Sequence, residues 1–340
     1  MRRAICAGLL LVTPASGQVI SAAFASPDAD RWNYPFNATP GTRETSPSFG
    51  AVLIAGFDDR DSQFLVAYDT GGQVPGGLAT DRYHIASVTL TAVVSNDNDF
   101  VYDDSYDAFA TYLDPLDPGY VADADPGRAL ELFGVGFRNG VDSTTWTETS
   151  AFGGAAVVPP AQGARNAFAA EFDDLSAATD VSNNLKDAFD PTPWAIGTTG
   201  AVAPGALVPV DTEFTFEVDL CVPGVRENLR RSLAEGRVLL TITSLQAASG
   251  SPDGGEGVVY PVWYTRENAI AQILGYEPTL TIELRVGNAA DIDGNGTLNI
   301  DDIDAFVAAF LAGEPTADID GSCTLNIDDI DAFVAAFLGG

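Results

Sequence analysis

Lysine is almost missing from this chain: among 340 residues Lys186 is the single lysine, and the other basic residues are arginines. Histidine occurs once, at His84, and cysteine three times, at Cys6, Cys221 and Cys323. Each shortage excludes something. With 16 basic against 48 acidic side chains and a formal net charge of −32, the chain repels phosphate backbones and anionic lipid. Nucleic acid is therefore not an expected partner, nor is a membrane surface. A single histidine cannot supply His-based zinc catalysis. It sits at the entry to the strand-like "DRYHIASVTL", where a packing or surface role is simpler than a Ser-His-Asp or Cys-His centre. Three cysteines do not make a disulfide framework. Cys221 and Cys323 can pair in an oxidising compartment, but the alternation around Cys221 reads as a small core residue. Beyond the N-terminus no apolar run reaches the ~18 residues that a membrane span needs, so no membrane insertion is expected.

The N-terminus itself, "MRRAICAGLLLVTPASGQVISAAFA", sets Arg2 and Arg3 before an apolar run from Ala4 to Val12 and then small residues. That is the layout of a secretory signal peptide, expected over 1–25, with cleavage after Gly17 or in the Ala22–Ala25 region. A secreted protein, extracellular or at a cell surface, follows as the expectation.

The C-terminus repeats itself. Ala290–Gly313 and Ala317–Gly340 differ only at Asn295/Ser322, Gly296/Cys323 and Ala312/Gly339. In the first copy Asp291, Asp293, Asn295, Asn299 and Asp302 occupy positions 1, 3, 5, 9 and 12 of a twelve-residue loop, with Thr297 offering its carbonyl at position 7. In the second the same places are held by Asp318, Asp320, Ser322, Asn326 and Asp329, with Thr324 at position 7. Calcium takes six to eight hard oxygen ligands, and this spacing turns them inward around a tight loop. Each loop runs into a helix with one apolar stripe: Ile300, Ile303, Phe306, Val307, Phe310 and Leu311, then Ile327, Ile330, Phe333, Val334, Phe337 and Leu338. From Val286 to Gly340 there is no Lys or Arg, so two calcium ions are expected to be coupled to folding.

A loop ending in Asp at position 12, followed by one helix and duplicated within some 50 residues, resembles a dockerin type I-like module. The resemblance implies Asp291, Asp293, Asn295, Asn299 and Asp302, with their counterparts, as calcium ligands. It also implies a cohesin-like protein or cell-surface component as partner, often within polysaccharide breakdown. Two features depart from the family pattern. Cys323 stands where the turn glycine belongs, and Ile300–Asp301 and Ile327–Asp328 stand where small hydroxyl pairs often govern cohesin choice.

The body, expected over 28–287 ahead of a tail domain over 289–340, reads as an antiparallel β-sandwich of jelly-roll type. "EFTFEVDLCV" puts Phe214, Phe216, Val218 and Leu220 on one face, "TLTIELRV" does the same with Leu280, Ile282 and Leu284, and "RVLLTITSL", "SVTLTAVVS" and "SQFLVAYDT" are similar. The clearest helix is Val225–Gly236, closing on glycine. "SPSFGAV", "DSQFLVAYDT", "ASVTLTAVV", "DSTTWTET" and "YTRENA", in that order, resemble DNRLRE-type sandwiches of secreted and cell-surface bacterial proteins, which implies an adhesive or carbohydrate-binding role. Trp146, Trp194 and Trp263–Tyr264 lie beside polar or loop residues, where a ring can stack on a sugar or fill the core. The acidic "FDDRDSQ", "NDNDFVYDDSYD" and "DADPG" read as solvated loops, with a further calcium ion in the sandwich as the next reading. Arg266 and Glu267 read as an ion pair near a strand end. No catalytic residue is assigned; a carbohydrate-active hydrolase or lyase, needing only two carboxylates, stays open. So does a purely structural surface protein capped by its own tail.

Overall fold

A computed structural model describes residues 18–153, 163–173, 177–251 and 254–339. In chain order the strands are β1 (Gln18–Phe24), β2 (Ala29–Asn33), β3 (Thr45–Pro47), β4 (Gln63–Asp69), β5 (Tyr83–Val93), β6 (Leu130–Phe137), β7 (Ala167–Phe172), β8 (Ala178–Asp180), β9 (Ala195–Ile196), β10 (Glu213–Glu217), β11 (Arg237–Ser244), β12 (Val262–Tyr264) and β13 (Thr279–Val286). The α-helices are α1 (Val225–Glu235), α2 (Ala269–Leu274), α3 (Ile300–Ala312) and α4 (Ile327–Gly339). The chain is mainly β, with antiparallel sheets, and divides into two compact units, Ile20–Leu284 and, at the C-terminal end, Arg285–Gly340.

One sheet of the body runs β1-β13-β5-β10 and another β2-β4-β11-β6-β7-β8, with β9 beside β6; β12 pairs with β3. Where one face is covered the period-2 pattern holds. Phe214 and Phe216 of β10 are buried between exposed Glu213 and Glu217, and Leu280, Ile282 and Leu284 of β13 are buried likewise. Strands β4 and β11 are buried along nearly their whole length, because they lie side by side inside the larger sheet with both faces covered. Helix α1 ends on Gly236 at φ +81°, a left-handed cap that glycine adopts without steric cost. Helix α2, only six residues long, is too short to show a period in the sequence; Asn268 starts it by accepting hydrogen bonds from the Ile270 and Ala271 amides.

Several sequence expectations are decided here, some of them against the reading. Trp146, Trp194 and Trp263 are all wholly buried, so none offers a ring to a sugar. Trp263 packs on Phe214 and Phe216 and donates its indole N–H to Ser48 Oγ (3.1 Å). Trp194 occupies space that Gly134 leaves open, where a Cβ would fall 2.4 Å from the ring. Cys221 is exposed and outside the core, because β10 stops at Glu217 before the alternation reaches it. The segment "FDDRDSQ" is not solvated either. Asp58, Asp59 and Asp61 are buried, Asp58 being paired with Arg165 (2.8 Å) and Asp59 with Lys186 (2.7 Å), both supplied from more than 100 residues away along the chain. The Arg266–Glu267 pair forms at 3.0 Å, and Glu148 shares the same guanidinium. His84 lies half-buried in β5.

Of the signal peptide expected over 1–25, residues 1–17 lie outside the described residues. Gln18–Phe24 is β1, with Ile20, Ala22 and Phe24 buried. Cleavage after Gly17 leaves this strand whole, whereas cleavage in the Ala22–Ala25 region removes most of it.

In the C-terminal unit Phe306 of α3 and Phe333 of α4 stack at 4.2 Å between ring centres, and Ala290, Ala309 and Ala317 complete the buried core. Ile303, Phe310, Ile330 and Phe337 pack on it partly buried. The rest of each expected stripe faces outward: Ile300, Val307 and Leu311 on α3, and Ile327, Val334 and Leu338 on α4, are exposed. Fourteen apolar positions already crowd so small a core, and a 100°-per-residue turn places these six on the far edge of each stripe.

Candidate metal centre

Each loop of the C-terminal unit is closed by its own carboxylates. Asn299 caps α3 by accepting from the Asp301 amide (2.6 Å), while Asp302 reaches back to accept from the Asn299 amide (3.0 Å), a capping box. Its second oxygen faces the Asp293 amide (3.4 Å), and Asp291 Oδ2 accepts from Gly296 N (3.0 Å). The second loop repeats this bond for bond. Asp329 accepts from the Asn326 (2.9 Å) and Asp320 (3.4 Å) amides, Asp318 Oδ2 from Cys323 N (3.2 Å), and Asn326 from Asp328 N (2.6 Å). Cys323 holds the turn at φ +62°, where Gly296 sits at +87°; for a residue with a Cβ that conformation costs about 1 kcal/mol.

These bonds aim three carboxylates at one point in each loop. Asp291, Asp293 and Asp302 present oxygens within 4.8 Å of one another, and Asp318, Asp320 and Asp329 do the same. Asp302 and Asp329 are fully buried, and Asp291 Oδ1 is buried without any hydrogen-bond partner. The neutral positions also take part in local hydrogen bonds. Asn295 Oδ1 accepts from Thr297 N (2.8 Å), the Thr297 carbonyl accepts from Asn299 Nδ2 (3.1 Å), and Asn299 Oδ1 is occupied by its cap. Ser322, Thr324 and Asn326 make the equivalent local bonds. The carboxylates at positions 1, 3 and 12 are thus brought together, and the oxygens at 5, 7 and 9 each accept one local hydrogen bond. The donor set is all oxygen, with no imidazole, and it fits a hard divalent cation such as calcium.

The electrostatics agree with that fit. Burial, and then the Asp302 and Asp293 charges, push the Asp291 carboxyl above its ordinary value, against the Gly296 amide and Arg285. Arg285 bonds the Asn288 and Ala289 carbonyls (3.2 Å each), and burial lowers its own value. It is the last cation before the tail.

Among the described residues of the body two further carboxylate groups occur. Asp103, Asp107 and Asp125 form one; Asp30, Glu148 and Glu267 form the other. The second is internally satisfied. Asp30 accepts from the Arg266 amide (2.7 Å), its own amide donates to Glu148 (3.0 Å), and Arg266 holds both glutamates. Burial and then the Glu267 charge push Asp30 well above the usual carboxylate range. Asp61 is pushed up to about 6, burial outweighing the Arg165 guanidinium.

An acid whose pKa is raised by folding favours the folded state while it keeps its proton. Below about pH 4 folded and unfolded chains are both protonated, and the advantage is lost as pH rises through the folded value. Body stability in calcium-free buffer is therefore expected to fall between about pH 4 and 6.5, by about 3 kcal/mol from Asp61 alone. Urea midpoints followed by tryptophan emission read this directly, since all the tryptophans lie in the body. Asp61→Asn should flatten the slope. A midpoint that rises across this window contradicts the assignment.

Sequence reasoning passed over one aromatic cluster. Trp32, Tyr34 and Phe36 follow at i, i+2 and i+4 in "RWNYPF". Trp32 stacks on Tyr34 at 4.7 Å, Tyr34 meets Phe36 and Phe49 at 5.4 Å each, and Arg43 lies 4.8 Å from the Trp32 ring centre. Phe36 is exposed, and Trp32 and Tyr34 are half-buried. Compared with known proteins, the chain matches no family model, and no curated protein matches it significantly.

Proposed function

We propose that the C-terminal unit is a calcium-stabilised, dockerin-like docking module. It attaches an exported protein to a cohesin-like partner or another extracellular surface component. The body, read as a jelly-roll sandwich, serves adhesion or carbohydrate recognition. One observation carries the docking half: the same apolar face is exposed twice. Leu311 is 81% and Leu338 80% exposed, Ile300 and Ile327 63% each, although apolar side chains of this size are normally buried. On each helix the three residues lie at i, i+7 and i+11, one edge of the cylinder, with Asp304 or Asp331 exposed among them. A partner with an apolar groove rimmed by basic side chains suits both faces equally.

Two equivalent faces predict a particular mutational pattern. Against immobilised cohesin domains in calcium, Leu311→Glu or Leu338→Glu alone should change affinity only a few-fold, because the other face still docks. The double variant should lose roughly 100-fold, the scale of an interface hot spot. A double variant that binds like the parent rules out docking through these faces.

The Trp32–Tyr34–Phe36 cluster supports the recognition half, since aromatic faces and an arginine suit sugar rings and their hydroxyls. Incubating the protein with a panel of polysaccharides tests it. Retention lost on Tyr34→Ala or Phe36→Ala supports recognition there, and release of reducing ends makes the body a hydrolase or lyase. If deleting Ala289–Gly340 lowers the body's urea midpoint, the tail is a stabilising cap.

A further inference from the structure

We propose that the body holds a divalent cation of its own, calcium by its donor chemistry, between Asp103, Asp107 and Asp125. The three carboxylates present oxygens within 4.8 Å of one another. Unlike an ordinary acidic surface loop, this group is built inward. Asp103 is 2% exposed and Asp107 7%. Asp103 Oδ1 accepts from the amide (2.9 Å) and hydroxyl (3.0 Å) of Ser105, whose hydroxyl also lies 3.0 Å from Asp125 Oδ2. Asp103 Oδ2 is buried and takes no hydrogen bond at all. A buried, uncompensated carboxylate oxygen is costly, and a bound cation removes that cost.

The backbone is committed to this arrangement. Val101 pairs with Leu207, and the Tyr102 amide donates to the Ala206 carbonyl (2.8 Å), which fixes the chain just before Asp103. Gly127, at φ +115°, passes so close that a Cβ there would fall 3.0 Å from Asp103 Cβ and 3.2 Å from the Val101 carbonyl. The resident cation is not enough. Arg128 bonds Asp107 Oδ1 (3.1 Å) and Asp123 and lies over the Tyr112 ring at 4.2 Å, so its guanidinium is engaged by two carboxylates. Carboxylates and a hydroxyl, with no imidazole or thiolate among them, select a hard cation over zinc or copper.

Terbium, a luminescent stand-in for calcium, separates this site from the tail loops. Its emission is sensitised by nearby Tyr or Trp, and residues 286–340 contain neither. The Tyr112 hydroxyl lies 3.5 Å from Asp107 Oδ2. Full-length protein titrated with terbium should show tyrosine-sensitised emission that calcium displaces, and equilibrium dialysis should count three calcium ions per chain. Asp103→Asn, and Asp125→Asn at the half-exposed position where folding is not at risk, should each abolish the emission and lower the count by one. The tail variant Asp302→Asn/Asp329→Asn should lower the count and leave the emission. If emission is absent from the parent, or persists in both body variants, the proposal is wrong. One ion with full emission would instead count against the tail loops.

Discussion

Chelating calcium should melt α3 and α4 while the tryptophan emission of the body stays close to its native value. The reason is an imbalance of size and charge. Three carboxylates within 4.8 Å repel by about 1–3 kcal/mol per pair at effective dielectric constants of 80 to 20, and each loop contains three such pairs. Opposing this is a core of five buried residues, in a unit of a size whose apolar core rarely contributes more than about 3–5 kcal/mol. Asp302 and Asp329, fully buried, cannot relieve the repulsion by moving into water without giving up the amides they hold. Helices α3 and α4 have 13 residues each, against 11 and 6 in α1 and α2, so far-UV helical ellipticity should fall by more than half. Asp302→Ala in saturating calcium should have nearly the same effect. It removes a carboxylate of the first loop's cluster and the back half of its capping box, and the Phe306–Phe333 stack ties the second helix to the first. Helical ellipticity that survives chelation unchanged would show that the loops fold on hydrogen bonds alone.

The sequence displayed the tail because everything that shapes it is local. Loop carboxylates, cap and helix stripe lie within 24 residues and occur twice, so the repeat checks itself. The cap was less legible, since Asn299 reads first as a loop position, and the fold shows it also capping α3. In the body the strands with one covered face, such as β10 and β13, were readable by alternation. The meaning of the acidic segments was not. Asp58 and Asp59 look solvated until Arg165 and Lys186 arrive from distant parts of the chain, and no local pattern announces a partner more than 100 residues away. The tryptophans stayed open between sugar and core for a related reason: polar neighbours in sequence say little about a ring whose cavity is built by Gly134 or by Phe214 from other strands. The Trp32–Tyr34–Phe36 spacing was visible, but alternation alone does not tell which face stays open.

The second large effect is expected at the centre of the body. Arg60 is wholly buried and meets Glu131 through two hydrogen bonds, Nε to Oε2 and Nη2 to Oε1, both 2.8 Å. Its Nη1 donates to the Val181 carbonyl (3.0 Å) and to Asn184, while Thr243, paired with Glu131 in the β11–β6 register, donates to Oε2 (3.2 Å). Every hydrogen-bonding group of the pair is directed, which is the condition under which a buried ion pair repays its desolvation. Removing one partner reverses the balance. Against burial, the Glu131 charge and hydrogen bonds hold Arg60 above its ordinary value, and Glu131→Ala removes them, leaving in the interior a guanidinium that proteins do not deprotonate. The expected loss is about 3–5 kcal/mol, a large part of the ~5–15 kcal/mol that a domain possesses, and it should appear as a shift of the urea midpoint in tryptophan emission. Replacing both charges, as Arg60→Met with Glu131→Leu, should recover most of that loss, since apolar side chains of similar volume need no counter-charge. A Glu131→Ala midpoint within about 1 kcal/mol of the parent would mean that water reaches Arg60 when the carboxylate is gone. The interior of β4, β11 and β6 would then be less sealed than the burial of Phe64, Leu132 and Ile242 indicates.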